Sequence, residues 1–229
     1  MIRGKQLYTK GVVIIDISDW DDSGGPQSLY ASHGWEGAMA WGNLIHDELN
    51  MKGPGVQKGD IYLDLGANIG MSAINAELKG VSKLYCVEPD PGVFEALEKN
   101  KSANWEIFNI AISNENGEMD IPKWPNWWEN YARPCVTLDE FFLQNNIDHI
   151  DYMKVDIEGH EKTVFSHVSQ NTWNKINKIF IEYHEDLKKP IPERNIERDK
   201  FSETLRQKGF DGFDIIVGGY QSFMYFWKI

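Results

Sequence analysis

The chain has 229 residues, 41% of them apolar, nine tryptophans and a formal net charge of −12. That length and composition suit one α/β domain over residues 1–229 and exclude a disordered chain. With no stripe of Lys and Arg to neutralise phosphates, the acidic balance argues against a nucleic-acid partner.

In chain order, the β-branched run Gly11–Ile17 predicts a strand, and Asp19–Pro26, rich in Asp and Gly, a loop. Apolar residues at Trp35, Ala38, Met39, Ala40, Leu44, Ile45 and Leu49 recur at helical spacing, and Gly53-Pro54-Gly55 ends that helix. A strand–helix rhythm follows: strands near 61–65, 83–88, 105–110, 150–155 and 178–183, with helices near 70–79, 91–101, 137–144, 160–169 and 198–208. Two strands close the chain, near 213–217 and 222–228. Only Gly218-Gly219-Tyr220-Gln221 separates them, too few residues for a parallel crossover, so they must pair antiparallel. Residues 1–57 form an N-terminal extension to the core at 58–229, and about 114–134, which holds Trp124, Trp127 and Trp128, reads as an insertion.

No run is apolar enough for a membrane span, and Met1-Ile2-Arg3-Gly4-Lys5-Gln6 lacks the apolar core of a signal peptide, so a cytoplasmic location is expected. Cys86 and Cys135 have neither metal nor redox spacing.

The chemistry concentrates in Ile61-Tyr62-Leu63-Asp64-Leu65-Gly66-Ala67-Asn68-Ile69-Gly70, a buried strand feeding a glycine-rich turn. Gly66 and Gly70 lack a Cβ and let the backbone turn sharply and approach a ligand. Glu88, ending the next strand, is placed to accept hydrogen bonds from both hydroxyls of a ribose, so an adenosine-type cofactor is expected. Asp90 either caps the helix opening at Pro91 or joins that site. A nicotinamide cofactor would call for a second glycine where Asn68 stands and for a sheet parallel throughout. An acid before the first glycine, Asp64, suits a cofactor bearing a free ammonium group.

Four blocks, Asp64–Gly70, Val87-Glu88-Pro89, Lys154-Val155-Asp156-Ile157-Glu158-Gly159-His160-Glu161 and Ile181-Glu182-Tyr183-His184, resemble the FkbM family of S-adenosylmethionine-dependent methyltransferases. The resemblance runs from about Lys58 to about His184. It implies a class I methyltransferase-like doubly wound sheet, mostly parallel with an antiparallel C-terminal strand, carrying the N-terminal extension and the tryptophan-rich insertion. It implies S-adenosylmethionine as cofactor, yielding S-adenosylhomocysteine, and a cofactor site of Asp64, Gly66, Ala67, Asn68, Gly70, Glu88, Pro89, Asp90, Ala111 and Asp156. Ala111 lies where the family's adenine rests. Asp156, at the carboxyl end of its strand, is expected beside the reacting methyl.

Glu182 and His184 fall on one face of their strand. A Glu–His pair there suits a general base, His184, with Glu182 orienting it. The expected reaction is methylation of a hydroxyl on a small-molecule or glycan acceptor. Two rival readings stand beside it. One is methyl transfer assisted by Mg²⁺ on Asp156, Glu158, Glu182 and His184, although no metal ligand is assigned. The other is a Rossmann-like protein that binds the cofactor without turnover. A homodimer is compatible with the sequence.

Overall fold

A computed structural model of the chain describes residues 6–9, 12–15, 55–122, 130–217 and 221–228. The expected loop Asp19–Pro26, the expected helix over 35–49 and Trp124, Trp127 and Trp128 lie outside the described residues. Two short strands, β1 (Gln6–Thr9) and β2 (Val12–Ile15), pair antiparallel. β2 falls within the β-branched run, whereas Gln-Leu-Tyr-Thr in β1 is too short to display a period.

The remaining strands are β3 (Ile61–Leu65), β4 (Lys83–Val87), β5 (Trp105–Phe108), β6 (Ala111–Ser113), β7 (Gly117–Pro122), β8 (Asn130–Thr137), β9 (Ile150–Val155), β10 (Ile176–His184), β11 (Phe210–Val217) and β12 (Gln221–Lys228). Among the described residues the helices are α1 (Met71–Leu78), α2 (Pro91–Asn100), α3 (Leu138–Gln144), α4 (Glu161–Phe165), α5 (Gln170–Asn174) and α6 (Ile191–Gln207). Seven strands make one sheet in the order β11-β12-β10-β9-β3-β4-β5. β3, β4, β5, β9 and β10 run parallel, and β12 lies antiparallel between β10 and β11, as the short final gap requires. The strand order reverses between β3 and β9. In an open α/β sheet, the carboxyl ends of the strands at such a reversal border a crevice for ligands.

Both faces of the sheet are buried, which is why its strands read as nearly continuous apolar runs. Leu63, Leu65, Met153, Val155, Ile179 and Ile181 point to one face. Tyr62, Leu84, Cys86, Tyr152, Phe180, Phe223 and Tyr225 point to the other. On that second face the rings of Tyr62 and Tyr152 stack at 5.4 Å and those of Phe180 and Phe223 at 5.8 Å. One step further along the strands, the same face carries Asp64, Lys154 and Glu182. The sheet therefore changes from aromatic to charged at its carboxyl edge, where the crevice opens.

Three elements depart from expectation. The third strand ends at Phe108, and the chain then leaves the main sheet: β6 pairs with β8, and β8 with β7. The described part of the insertion is thus a β arm. The helix expected over 160–169 ends at Phe165, and a separate short helix, α5, follows beyond it, where Ser169 takes an extended backbone and its hydroxyl caps α5 at the Thr172 amide. α6 begins at Ile191, seven residues before the expected start; Pro190 and Pro192 suit a first turn whose amides have no helical partner. Among the described residues, no helix is long and apolar enough to cross a membrane.

Candidate active site

The turn after β3 is built on Gly66, Asn68 and Gly70, all at positive φ (76°, 51° and 92°). The amides of Gly66 and Ala67 both bond to the Val87 carbonyl, tying the turn to the end of β4. Each glycine has a packing reason. A Cβ on Gly66 would lie 1.7 Å from the carbonyl oxygen of Asp156, and one on Gly70 would press on Leu97 and Trp105 at 2.9 Å. The turn thus brings the ends of β3 and β9 into contact where the strand order reverses.

Glu88 is buried just beyond β4. Its carboxylate accepts the Asn68 amide at 3.0 Å through Oε2 and the Asp90 amide at 2.8 Å through Oε1. Each oxygen keeps a lone pair for a further donor, which matches a vicinal diol. Burial, only partly offset by those two amides, pushes its pKa up to about 7. Asp90 caps α2 by accepting the amides of Gly92 and Val93, and Tyr131 hydrogen-bonds to it from the β arm. Arg133 of the same arm donates to the Pro89 carbonyl at 2.9 Å and to the side chain of Asn109. The arm therefore docks on the residues that follow Glu88. Ala111 is buried at the start of β6, and Asn68 is exposed at the mouth of the turn.

Asp64 is placed differently from its expected role. It is wholly buried, and its carboxylate lies 3.3 Å from the ammonium of Lys154, so a ligand's ammonium cannot reach it in this arrangement. Burial outweighs Lys154 and pushes its pKa up to about 6. Lys154 also donates to the Gly66 carbonyl at 3.0 Å and pairs with Asp156 at 3.3 Å. One ammonium thus joins the ends of β3 and β9.

Beyond β9 the chain makes a left-handed turn, with Glu158 at φ 54° and Gly159 at φ 96°. Glu161, wholly buried, accepts the Gly159 amide at 3.1 Å and the Ile157 amide at 3.4 Å through Oε1. The same oxygen lies 3.0 Å from Nδ1 of His184. On the other side of the ring, Nε2 lies 3.4 Å from Glu158 and 4.0 Å from Asp156. This corrects the expected pairing: Glu161, not Glu182, holds the ring of His184. Burial pulls the imidazole's pKa down, but Glu161, then Glu158 and Asp156, outweigh it and push the value up to about 9. A ring with carboxylates at both nitrogens keeps its proton at neutral pH, so a neutral base oriented by Glu182 does not describe this state.

Glu182 is buried near Asp156, His184 and Lys154, and burial raises its pKa to about 7. His160 occupies the N-cap position of α4 without a side-chain cap bond and is half-buried; its Nε2 lies 3.1 Å from the Ser113 hydroxyl. Lys154, Glu161, Tyr131 and Arg133 were not among the expected site residues. Only Lys154 left a signal, a lone cation inside a strand otherwise buried from Tyr152 to Val155.

A glycine turn, a ribose-type carboxylate and an acidic cluster around one switch point define a class I methyltransferase, an enzyme that uses S-adenosylmethionine. Among solved structures, fibrillarin from Aeropyrum pernix with natively bound S-adenosyl-L-methionine shares this fold, at TM-score 0.53 and 14% identity over 81% of this chain and 73% of that one. The model of the methyltransferase FkbM domain matches residues 64–210, and the chain belongs to that family. It is similar to the 31-O-demethyl-FK506 methyltransferase FkbM of Streptomyces tacrolimicus, 24% identical over 57% of this chain and 67% of that protein. It is also similar to the hexuronic acid methyltransferase AglP of Haloferax volcanii, 21% identical over 72% of this chain and 73% of that protein.

Proposed function

We propose that this chain transfers a methyl group from S-adenosylmethionine to a hydroxyl oxygen of a small molecule or a sugar. The reading is carried by the acidic cluster of Asp156, Glu158, Glu182 and His184, set at the carboxyl ends of β9 and β10 across the switch point from Glu88. The residues fit the cofactor: Glu88 has acceptor capacity for the ribose hydroxyls, and the turn of Gly66, Ala67 and Asn68 would border the methionine end. Pro89, Asp90 and Ala111 would border the adenine. Bound there, S-adenosylmethionine supplies a methyl carbon made electrophilic by its positively charged sulfur.

The chain's own contribution is then alignment, exclusion of water and removal of one proton. Lys154 locks the ends of β3 and β9 together, so Glu88 and the acidic cluster keep a fixed separation. The hydroxyl proton passes to the carboxylates of the cluster. The names of the two relatives, one methylating an oxygen and one acting on a hexuronic acid, support an oxygen acceptor. Two buried free thiols, Cys86 and Cys135, suit a reducing cytoplasmic setting.

The test is incubation with S-adenosylmethionine carrying a labelled methyl group and a panel of uronic acids, neutral sugars, macrocyclic alcohols, amines and thiols. Label should appear on oxygen, and Glu182→Gln, which removes one carboxylate able to take the proton, should cut turnover by about 10²-fold or more with affinity for S-adenosylhomocysteine retained. Label confined to nitrogen or sulfur would refute the oxygen acceptor.

A further inference from the structure

We propose that Asp156, Glu158 and His184 form a binding site for a divalent cation of the Mn²⁺ or Mg²⁺ kind. Each offers one ligand atom, and the three atoms lie within 4.8 Å of one another. They come from three separate places, the end of β9, the left-handed turn after it and the end of β10. Bonds of about 2.1 Å to an octahedral ion set neighbouring ligand atoms about 3 Å apart. The distances from Nε2, 3.4 Å to Glu158 and 4.0 Å to Asp156, are a little wider than that and close with small side-chain rotations.

The surroundings are arranged for a cation. Nδ1 of His184 is engaged by Glu161, the usual way a protein fixes a ligating imidazole so that the other nitrogen faces the ion. Lys154 pairs with Oδ2 of Asp156 and leaves Oδ1 on the side of His184.

The independent observation is Glu182. It is 2% exposed and lies near Asp156, His184 and Glu158, and among the described residues its carboxylate accepts no hydrogen bond. A buried carboxylate without a donor is costly unless positive charge stands close by. Lys154 is already shared between Asp64 and Asp156, so Asp156, Glu158, Glu161 and Glu182 exceed the positive charge that faces them. Two carboxylate oxygens and one imidazole favour Mn²⁺ or Mg²⁺ over softer ions that prefer thiolate. In the O-methylation reading, on which this role rests, the acceptor oxygen would take a further position on the ion and lose its proton more readily. The binding itself does not depend on that reading.

The test is titration of the full chain with Mn²⁺, followed by the loss of the free ion's electron paramagnetic resonance signal. One ion per chain should bind. Glu158→Gln, a change at an exposed residue, should weaken binding by about tenfold or more, as should His184→Ala. Pulsed spectra of the bound ion should show coupling to nitrogen, absent in His184→Ala. Retained affinity for S-adenosylhomocysteine certifies that each variant is folded. No signal loss at millimolar Mn²⁺, or signal loss in both variants as strong as in the parent, would overturn the site by placing any bound ion elsewhere on the acidic surface. Methyl transfer is not the readout, so failure of the acceptor reading leaves this result standing.

Discussion

Replacing Glu88 by glutamine separates the cost of holding a buried carboxylate from its use in binding. Without ligand, Glu88 accepts the amides of Asn68 and Asp90, and burial raises its pKa from 4.5 to about 7. Keeping it ionised at alkaline pH therefore costs about 3 kcal/mol. Because the folded value is raised, the stability Glu88 contributes is complete below about pH 4.5 and is lost as pH rises through about 7. Glutamine removes that cost but turns an N–H toward one of the two backbone donors, a loss of about 1–3 kcal/mol. The two changes nearly cancel, so at about pH 8 the unliganded variant should denature within about 1 kcal/mol of the parent. Affinity should behave otherwise. The parent gains two charge-assisted hydrogen bonds from the ribose, and the variant should bind S-adenosylhomocysteine about 1–3 kcal/mol more weakly, roughly 5- to 150-fold. Ribose donors favour the ionised form, so the parent's affinity should also fall about tenfold from about pH 8 to about pH 6, and the variant's should not. Calorimetric titration at both pH values, with urea denaturation of each protein, reads all of these quantities. Equal affinities, or the same pH slope in both proteins, would refute the assignment of Glu88 to the ribose.

Two further predictions concern the junction of β3 with β9. Gly66→Ala sets a methyl 1.7 Å from the Asp156 carbonyl at a φ of 76°, and should lower stability by about 3 kcal/mol or more in urea denaturation; a variant as stable as the parent would contradict the close contact. Lys154→Met strands the buried Asp64 and should cost about 3–5 kcal/mol, and adding Asp64→Asn should restore more than half of that loss; no recovery in the double variant would show that Lys154 acts through other contacts.

Much of this arrangement was legible because it rests on local rules. The turn at Gly66 and Gly70, the acid that ends β4 and the reversed β12 each follow from spacing within a few residues. What escaped depends on contacts across the fold. Glu161 reads as a charge in the first turn of a short helix, yet it meets His184 from 23 positions earlier and fixes the ring. Lys154 reads as an oddity in an apolar strand until pairing sets it opposite Asp64. Asp64 itself alternates toward the sheet face that turns charged only at its edge, so its side chain ends up under the turn instead of in the crevice. In the insertion, Tyr131 and Arg133 sit on a β arm whose pairing with the short β6 leaves no periodic trace. His184 shows the same limit in its chemistry: its place at a strand end was legible, whereas the three carboxylates that set its protonation come from the turn and helix after another strand.

S-adenosylmethionine is expected across the carboxyl edge of the sheet, from Glu88 to the cluster around Asp156. A crystal structure with S-adenosylhomocysteine tests it most directly. Both ribose hydroxyls should lie on the Glu88 carboxylate, with the sulfur between the ends of β3 and β9, facing Asp156 and His184. Ligand bound elsewhere, or a ribose turned away from Glu88 with the sulfur distant from Asp156, would contradict it.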